Sequence, residues 1–344
     1  MVRRLDMDIT KWYAAIDTHC CGEPLRIITG GLPPMEGATM RDKSLFFEWH
    51  FASARKWLLT EPRGHFGLRG AVVTAPVTKE ARFGLLFLHQ EGHSSINVPG
   101  IISAVTAWLD TGQLDPAEAA KGIRIDCPAG TVRAYAEWEE EELRAVSVEC
   151  VPCFVLAEQL MLTVQGVEVK ADLAFSGECY AVVDADEIGL DFAGEAALHK
   201  IQEWGSLILE AVTNRLNMEH SRLDWGSGMY GVFFYRRENP DSGGRLYRST
   251  AVFAGEQLDR SPGGAGACAH MAVLWSRGLL AQGERVTYIG ITGTEVHAMI
   301  LKETEAYGNK SAVVPRITGS GHILGFMNLV LDPSDPLADG FVVY

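Results

Sequence analysis

The sequence predicts an α/β protein built from two like domains facing each other across a cleft, and three observations predict it. Short apolar runs separated by turns dominate the chain, one segment carries a clear helical period, and two strand–turn–helix segments match each other. The 344 residues suffice for one large or two medium domains. With 47% hydrophobic and 22% charged residues, the chain has the balance of one that builds packed cores.

In chain order, the strand candidates are GAVVTAPV (70–77), FGLLFLHQ (83–90), RAVSVECV (144–151), YAVVDAD (180–186), YGVFFYR (230–236), STAVFAG (249–255), VTYIGITG (286–293) and MNLVLD (327–332). The clearest helix is ALHKIQEWGSLILEAVTNRL (197–216), whose Ile201, Trp204, Leu207, Ile208, Ala211, Val212 and Leu216 share one face. The acidic run WEEEEL (138–143) reads as a solvated hairpin turn or strand edge.

The matching segments are GLLFLHQEGHSSINVPGIISAVTAWLDTGQL (84–114) and STAVFAGEQLDRSPGGAGACAHMAVLWSRGLL (249–280). Each runs from an apolar strand through a polar loop and small-residue turn into a helix of about three turns that carries a late Trp. Asn97 in the first aligns with Gly263 in the second. Such a duplication predicts a first domain over 1–160, completed by 326–344, and a second over 161–325. Two helix N-termini would then point into one cleft, and opposed positive helix ends suit an anion such as a carboxylate.

A formal net charge of −14 argues against a nucleic-acid partner or an anionic membrane surface, since both need clustered Lys and Arg. The N-terminal MVRRLDMDITKWYAAID lacks the apolar stretch of a secretory signal, and no run approaches the roughly 18 apolar residues of a membrane span. Seven scattered cysteines, with one CxxC at Cys150 and Cys153, read as reduced thiols in a cytoplasmic protein rather than a zinc or redox site.

Several local patterns do not carry their usual chemistry. GGAGACA (263–269) has a displaced third glycine and no acidic residue about 20 positions on, so it is not a dinucleotide fingerprint. GHSSI (92–96) lacks the second glycine of a hydrolase elbow. Neighbouring side chains of HCCGEP (19–24) point to opposite faces of a strand and so read as packing rather than metal ligands. Arg63 and His65 of EPRGHFGLRGAV (61–72) could line a cleft or belong to a solvated hairpin. Cys268 and His270, two apart on a helix, diverge by about 200°, so they form no dyad, and Cys268 reads as core.

CGEPLRI (21–27), EPRGH (61–65), LLFLHQEGHSS (85–95), DRSP (259–262), Gly-Leu-Leu (278–280), TGS with His322 (318–322) and DPLADGF (335–341) occur in an order that resembles the proline racemase family. The similarity is closest to its trans-3-hydroxy-L-proline dehydratase branch and covers nearly the whole chain. The resemblance implies two pseudo-symmetric domains of the diaminopimelate-epimerase type, each a mixed sheet around a central helix. It implies no cofactor and no metal, a small cyclic amino acid with a carboxylate as substrate, and a homodimer. Racemases and epimerases of the family use two cysteines at opposed helix N-termini as acid and base, and the dehydratase branch has threonine in place of the second. A thiolate at a positive helix end has a lowered pKa, which makes that arrangement chemically sound.

By the same resemblance this chain departs from the pattern. Ile96-Asn97-Val98-Pro99 stands where the family has Met-Cys-Gly-His, and Ser261-Pro262-Gly263-Gly264-Ala265 where it has Ser-Pro-Cys or Ser-Pro-Thr. Neither Asn97 nor Gly263 can remove an α-proton near pH 7. The family's carboxylate-binding amides carry over to Val98, Pro99, Gly264 and Ala265, and Pro99 has no N–H to give. Asn97 offers a side-chain NH₂ and is also a natural N-cap. Asp259 would hold the ring amine.

Three readings stay open. The family chemistry could persist with a relocated base, for which the candidates are His93, Ser94, Ser95, Cys20 and Cys21. His93 leads because an imidazole titrates near neutral pH, although a packed loop aromatic in place of the family's tyrosine is the simpler account of it. The cleft could instead serve another anionic substrate, with Asn97 and the Gly264-Ala265 amides stabilising an oxyanion. Or the protein could bind a ligand without turnover.

Overall fold

In the computed structural model, residues 11–218, 228–238, 244–306 and 309–343 are described. Residues 1–10, which hold most of the N-terminal stretch discussed above, lie outside them. The first half contains strands β1 (Lys11–Cys20), β2 (Glu23–Gly30), β3 (Arg69–Thr74), β4 (Ala81–His89), β5 (Gly92–Ser94), β6 (Ile123–Cys127), β7 (Gly130–Glu139) and β8 (Glu142–Glu149). Helices α1 (Met40–Leu59), α2 (Val98–Asp110) and α3 (Pro116–Lys121) are interleaved with them. The second half contains β9 (Phe154–Val164), β10 (Val167–Phe175), β11 (Cys179–Asp184), β12 (Met229–Glu238), β13 (Arg245–Phe253), β14 (Gln257–Leu258), β15 (Arg285–Ile289), β16 (Glu295–Ala306), β17 (Lys310–Gly319) and β18 (Gly321–Leu331). Its helices are α4 (Glu195–Met218) and α5 (Gly264–Ser276).

The two halves repeat one topology. Strands β2 and β3 pair in parallel across α1, and β4 and β6 across α2. In the second half β11 and β12 pair in parallel across α4, and β13 and β15 across α5. The antiparallel hairpins between them also correspond, β3–β4 to β12–β13 and β6–β7 to β15–β16. Strand β18 returns to pair antiparallel with β1, and β17 pairs with β8, which joins the halves in one sheet.

Each crossover helix takes a different face of its sheet, and this explains the continuous apolar runs. On β4, Leu85 and Phe87 face the inner core around α2, whereas Leu86 and Leu88 pack outward under α1. On β12, Phe233 points inward while Val232 and Phe234 pack under α4. A strand covered on both faces has no need of polar alternation. The helices differ for the same reason. Helix α4 is amphipathic and buries Ile201, Ile208 and Val212, whereas α2 is buried all round from Val98 to Leu109. Helix α5 is likewise buried from Gly264 to Leu274, and its small residues permit the close approach.

Each of the eight strand candidates overlaps a strand, although all but 230–236 run past its end, and 197–216 falls within α4. The sequence reading missed α1, whose inner face includes Lys43 and Ser44 and whose period is broken by the non-helical Phe51. Thr39 and Asp42 form a reciprocal capping box at its start. The acidic run forms the β7–β8 hairpin turn, with Glu140 in the left-handed region. No helix among the described residues is long and apolar enough to cross a membrane.

Because α2 is sealed on every side, truncating it should be costly. Ile101→Ala, at a fully buried position, is expected to lower unfolding free energy by about 2–5 kcal/mol, read from urea denaturation.

Candidate functional site

The aligned residues Asn97 and Gly263 are the N-caps of helices of equal length, 13 residues each. At α2, Asn97 is extended and its Oδ1 accepts the N–H of Gly100 at 3.0 Å, while its carbonyl accepts that of Ile101 at 2.9 Å. Pro99 has no N–H, so Val98 keeps the one first-turn donor without a recorded partner among the described residues. At α5, Gly263 has φ 88° and no side chain to cap with. The N–H groups of Gly264, Ala265 and Gly266 have no recorded partner among the described residues, although all three residues are buried. One helix end is closed by its own cap, and the other is open.

The two ends touch. A Cβ placed on Gly264 would lie 2.6 Å from both Val98 Cβ and Pro99 Cδ. Gly263 has no room either, because a Cβ there would lie 2.8 Å from Phe233 Cε2 on a backbone that already favours glycine.

Buried acids surround this junction. The loop into α5 is pinned by Asp259, whose Oδ1 accepts the Ser261 N–H at 3.0 Å and the Ser261 hydroxyl at 2.7 Å. Glu23, the first residue of β2, accepts the Arg260 N–H at 2.8 Å and Arg69 Nε at 2.7 Å. Arg69 lies 3.9 Å over the Phe253 ring and 3.8 Å from Asp259 Oδ2. Burial and the nearby Asp259 push the Glu23 carboxyl up to about 7, with Arg69 opposing.

A counterpart stands at the other helix. Glu178 follows Ser176-Gly177 in the β10–β11 turn as Glu23 follows Cys21-Gly22 in the β1–β2 turn, and both glycines have positive φ. Glu178 accepts the backbone N–H of Ser95 in the loop into α2. Each half thus sends a glutamate to the loop feeding the other half's central helix. Burial pushes Glu178 up to about 7, against hydrogen bonds from Ser95 and the charge of Arg41.

Between these anchors lies an aromatic wall. Tyr230 stacks on Phe253 at 5.5 Å and meets Tyr180 edge-on at 5.5 Å, and His89 packs edge-on against Tyr230. Among the described residues His89 Nδ1, His93 Nδ1 and Gln257 Oε1 are buried without a hydrogen-bond partner, and the Tyr230 hydroxyl is buried as well. Burial, followed by the charges of Arg69 and Arg55, lowers His89 to about 3.

The structure brings Val98, just after Asn97, against Gly264, between Gly263 and Ala265, and Asp259 pins the loop that leads to them. Ser94 lies beside Tyr230. His93, on β5, is half-buried, and its charged neighbours Glu48, Arg55 and Arg41 belong to α1. Burial lowers its pKa, Arg55 and Arg41 add to that, and Glu48 opposes it. Cys20 is fully buried, and Cys21, with φ 52°, donates its thiol to the Glu295 carbonyl at 3.3 Å. A hydrogen bond from Cys20 is the main cause that lowers the Cys21 pKa.

Arg63 and His65 correct the cleft reading of their loop. Arg63 stacks 4.2 Å over Trp57, donates to the Trp57 and Ala338 carbonyls and so holds the C-terminal segment, while His65 is exposed. The site residue of that stretch is Arg69. Cys268 contacts Cys150 at 3.6 Å, and His270 pairs with Tyr288 Oη at 3.0 Å, so both are core. No three His, Cys, Asp or Glu side chains converge on a metal position among the described residues. The sequence reading missed Glu178, although Cys-Gly-Glu and Ser-Gly-Glu at equivalent turns extend the internal match.

A duplicated fold with two central-helix N-termini meeting beside buried acids defines a class of protein, the epimerase-like α/β proteins. A PhzF-family protein from Bacillus anthracis shares this fold at 10% identity, with TM-score 0.59 over 94% of this chain and all of that one. The proline racemase family model matches residues 15–342, and the chain belongs to that family. It is 38% identical to a trans-3-hydroxy-L-proline dehydratase of Bacillus thuringiensis subsp. konkukian and 33% identical to a proline racemase of Acetoanaerobium sticklandii, each over 98% of this chain and 100% of the relative. The crystal structure of a hydroxyproline epimerase from Agrobacterium vitis with bound trans-4-hydroxy-L-proline matches with TM-score 0.85 and 27% identity, covering 97% of this chain and 96% of that one.

Two outcomes follow from this geometry. Gly264→Ala should force the helix ends apart and cost about 1–3 kcal/mol in urea unfolding. Glu178, raised above its ordinary 4.5, holds its proton more tightly folded than unfolded. Its stabilising contribution is therefore full below about pH 4.5 and lost as pH rises through about 7. Glu178→Gln, which keeps the uncharged form, should flatten the fall in Tm between about pH 5 and pH 8.

Proposed function

We propose that this protein is a cofactor-independent lyase or isomerase acting on a small proline-like imino acid. The substrate carboxylate would lie on the N–H groups of Gly264, Ala265 and Gly266 and its ring nitrogen against Asp259. The observation that carries this reading is the buried, uncapped start of α5. Three adjacent donors with no partner among the described residues are costly unless something accepts from them, and a carboxylate at a positive helix end does so with charge-assisted hydrogen bonds. The dehydratase, racemase and epimerase relatives support the substrate class.

In this reading Asn97 and Gly263 stand where the family carries its thiol and its second cysteine or threonine. Asn97 caps α2 through its Oδ1, which accepts from Gly100, and its side-chain NH₂ stays available as a donor. With Pro99 silent, the carboxylate would be held from the α5 side, with Val98 N–H as the remaining backbone donor opposite.

Ligand binding tests this. Trans-3-hydroxy-L-proline or the planar mimic pyrrole-2-carboxylate should raise Tm in a concentration-dependent way. Asp259→Asn should weaken binding of the hydroxyproline at least about tenfold by titration calorimetry, as expected for losing a charge-assisted hydrogen bond. Absence of stabilisation by proline, the hydroxyprolines and pyrrole-2-carboxylate alike would overturn the reading.

A further inference from the structure

We propose that Glu178 is the proton-transferring group of this site, reaching the α2 side of the cleft from the opposite half of the chain. The inference rests on the imino-acid reading above and goes beyond it by naming a base and a single face of attack.

The geometry points to this residue from two directions. The β10–β11 turn straddles the two residues before Asn97. Glu178 takes the backbone N–H of Ser95, and a Cβ on Gly177 would lie 2.7 Å from Ile96 Cγ2. The carboxyl group is thus held at the approach to α2, beside a cap residue that cannot titrate. Tyr230 and Tyr180 supply the second direction, since each lies within electrostatic reach of both Glu178 and Asp259. The buried Tyr230 hydroxyl, which has Ser94 as its hydrogen-bonding neighbour, therefore marks polar space between the proposed amine anchor and Glu178.

Its pseudo-symmetric counterpart cannot play the same part. Both oxygens of Glu23 are engaged, one by Arg69 and the other by the Arg260 N–H, so Glu23 is a strut for the loop into α5. Glu178 is hydrogen-bonded by Ser95, through its backbone N–H and its hydroxyl. The groups facing it are the Ser95 hydroxyl, Arg41, Cys179, Tyr180 and Tyr230. A carboxyl group pushed up to about 7 by burial is matched to proton transfer near neutral pH.

The step balances without a co-reactant. The α-carbon C–H bond breaks, the proton passes to Glu178, and the electron pair delocalises into the substrate carboxylate held at α5. With a 3-hydroxyl present, that pair forms the C2–C3 double bond as the C3–O bond breaks. The hydroxyl then leaves as water with the proton Glu178 has taken. With no titratable side chain at Gly263, protons come and go on one face, so the reaction exchanges or eliminates without inverting.

The test is proton NMR in D₂O of the full chain with L- and D-proline and trans-3- and trans-4-hydroxy-L-proline, beside binding of pyrrole-2-carboxylate measured separately. Wild type should bind the mimic and exchange the α-hydrogen of L-substrates without forming the D-isomer, with a rate that rises through neutral pH. Glu178→Gln should still bind the mimic yet lose exchange by at least about 100-fold together with that pH limb, and Glu178→Asp should keep a measurable rate. Exchange in Glu178→Gln within about threefold of wild type overturns the inference, as does formation of D-isomer by wild type. Loss on His93→Ala with Glu178→Gln still active overturns it in favour of His93. Binding of the mimic without any exchange overturns the inference and leaves the binding reading standing. Neither binding nor exchange sinks that reading, and the inference with it.

Discussion

Two helix N-termini driven against each other in a protein interior are an electrostatic problem, and the rest of the structure follows from it. Each end carries a partial positive charge and unpaired N–H donors. Here they meet so closely that Gly264 has no space for a methyl group beside Val98 and Pro99. The remedy is negative charge and local capping. Asn97 closes one end with its own side chain, and Glu23, Asp259 and Glu178, all buried, gather around the junction. Arg69 is threaded among them, resting on Phe253 while binding Glu23. A buried cation in that position links two acids that would otherwise repel, which is the geometry in which a buried ion pair holds its value.

The acids arrive by a crosswise exchange. The first half's Glu23 ties down the loop into α5, and the second half's Glu178 ties down the loop into α2. Each loop into a central helix is therefore tied down by a carboxyl group from the other half. The duplication is nevertheless asymmetric where it counts. One helix end is self-capped and interrupted by proline, while the other offers three adjacent amides. The duplicated scaffold thus presents free donors on one side, and Glu178, held by Ser95, lies on the side where the helix end is closed.

Much of this was legible in the chain. Apolar runs marked eight strands because strands covered on both faces carry no polar alternation to blur them. The internal match set Asn97 against Gly263, and both cap helices of the same length. The order of family motifs gave the fold. Helix α1 was not legible, since Lys43 and Ser44 occupy its inner face and Phe51 interrupts its period. Arg63 was misplaced because a charged residue in a loop says nothing of which neighbour it will meet, and it meets Trp57 and Ala338. Glu178 escaped because a lone acid after Ser-Gly has no signature, and its significance comes from Ser95, far away in sequence.

By itself the sequence determined eight of the strands, that the chain is duplicated, which family it belongs with and which residues begin the two central helices. These depend on local composition, periodicity and motif order, which neighbouring residues carry. Only the tertiary structure decided that the helix ends touch, that Gly263 is required by the Phe233 ring as well as by its backbone, and that α5 is open while α2 is closed. It also decided that a buried carboxyl from one half serves the helix of the other. Those are facts of distance between segments remote in sequence, and they arise only once both sheets have closed around their helices.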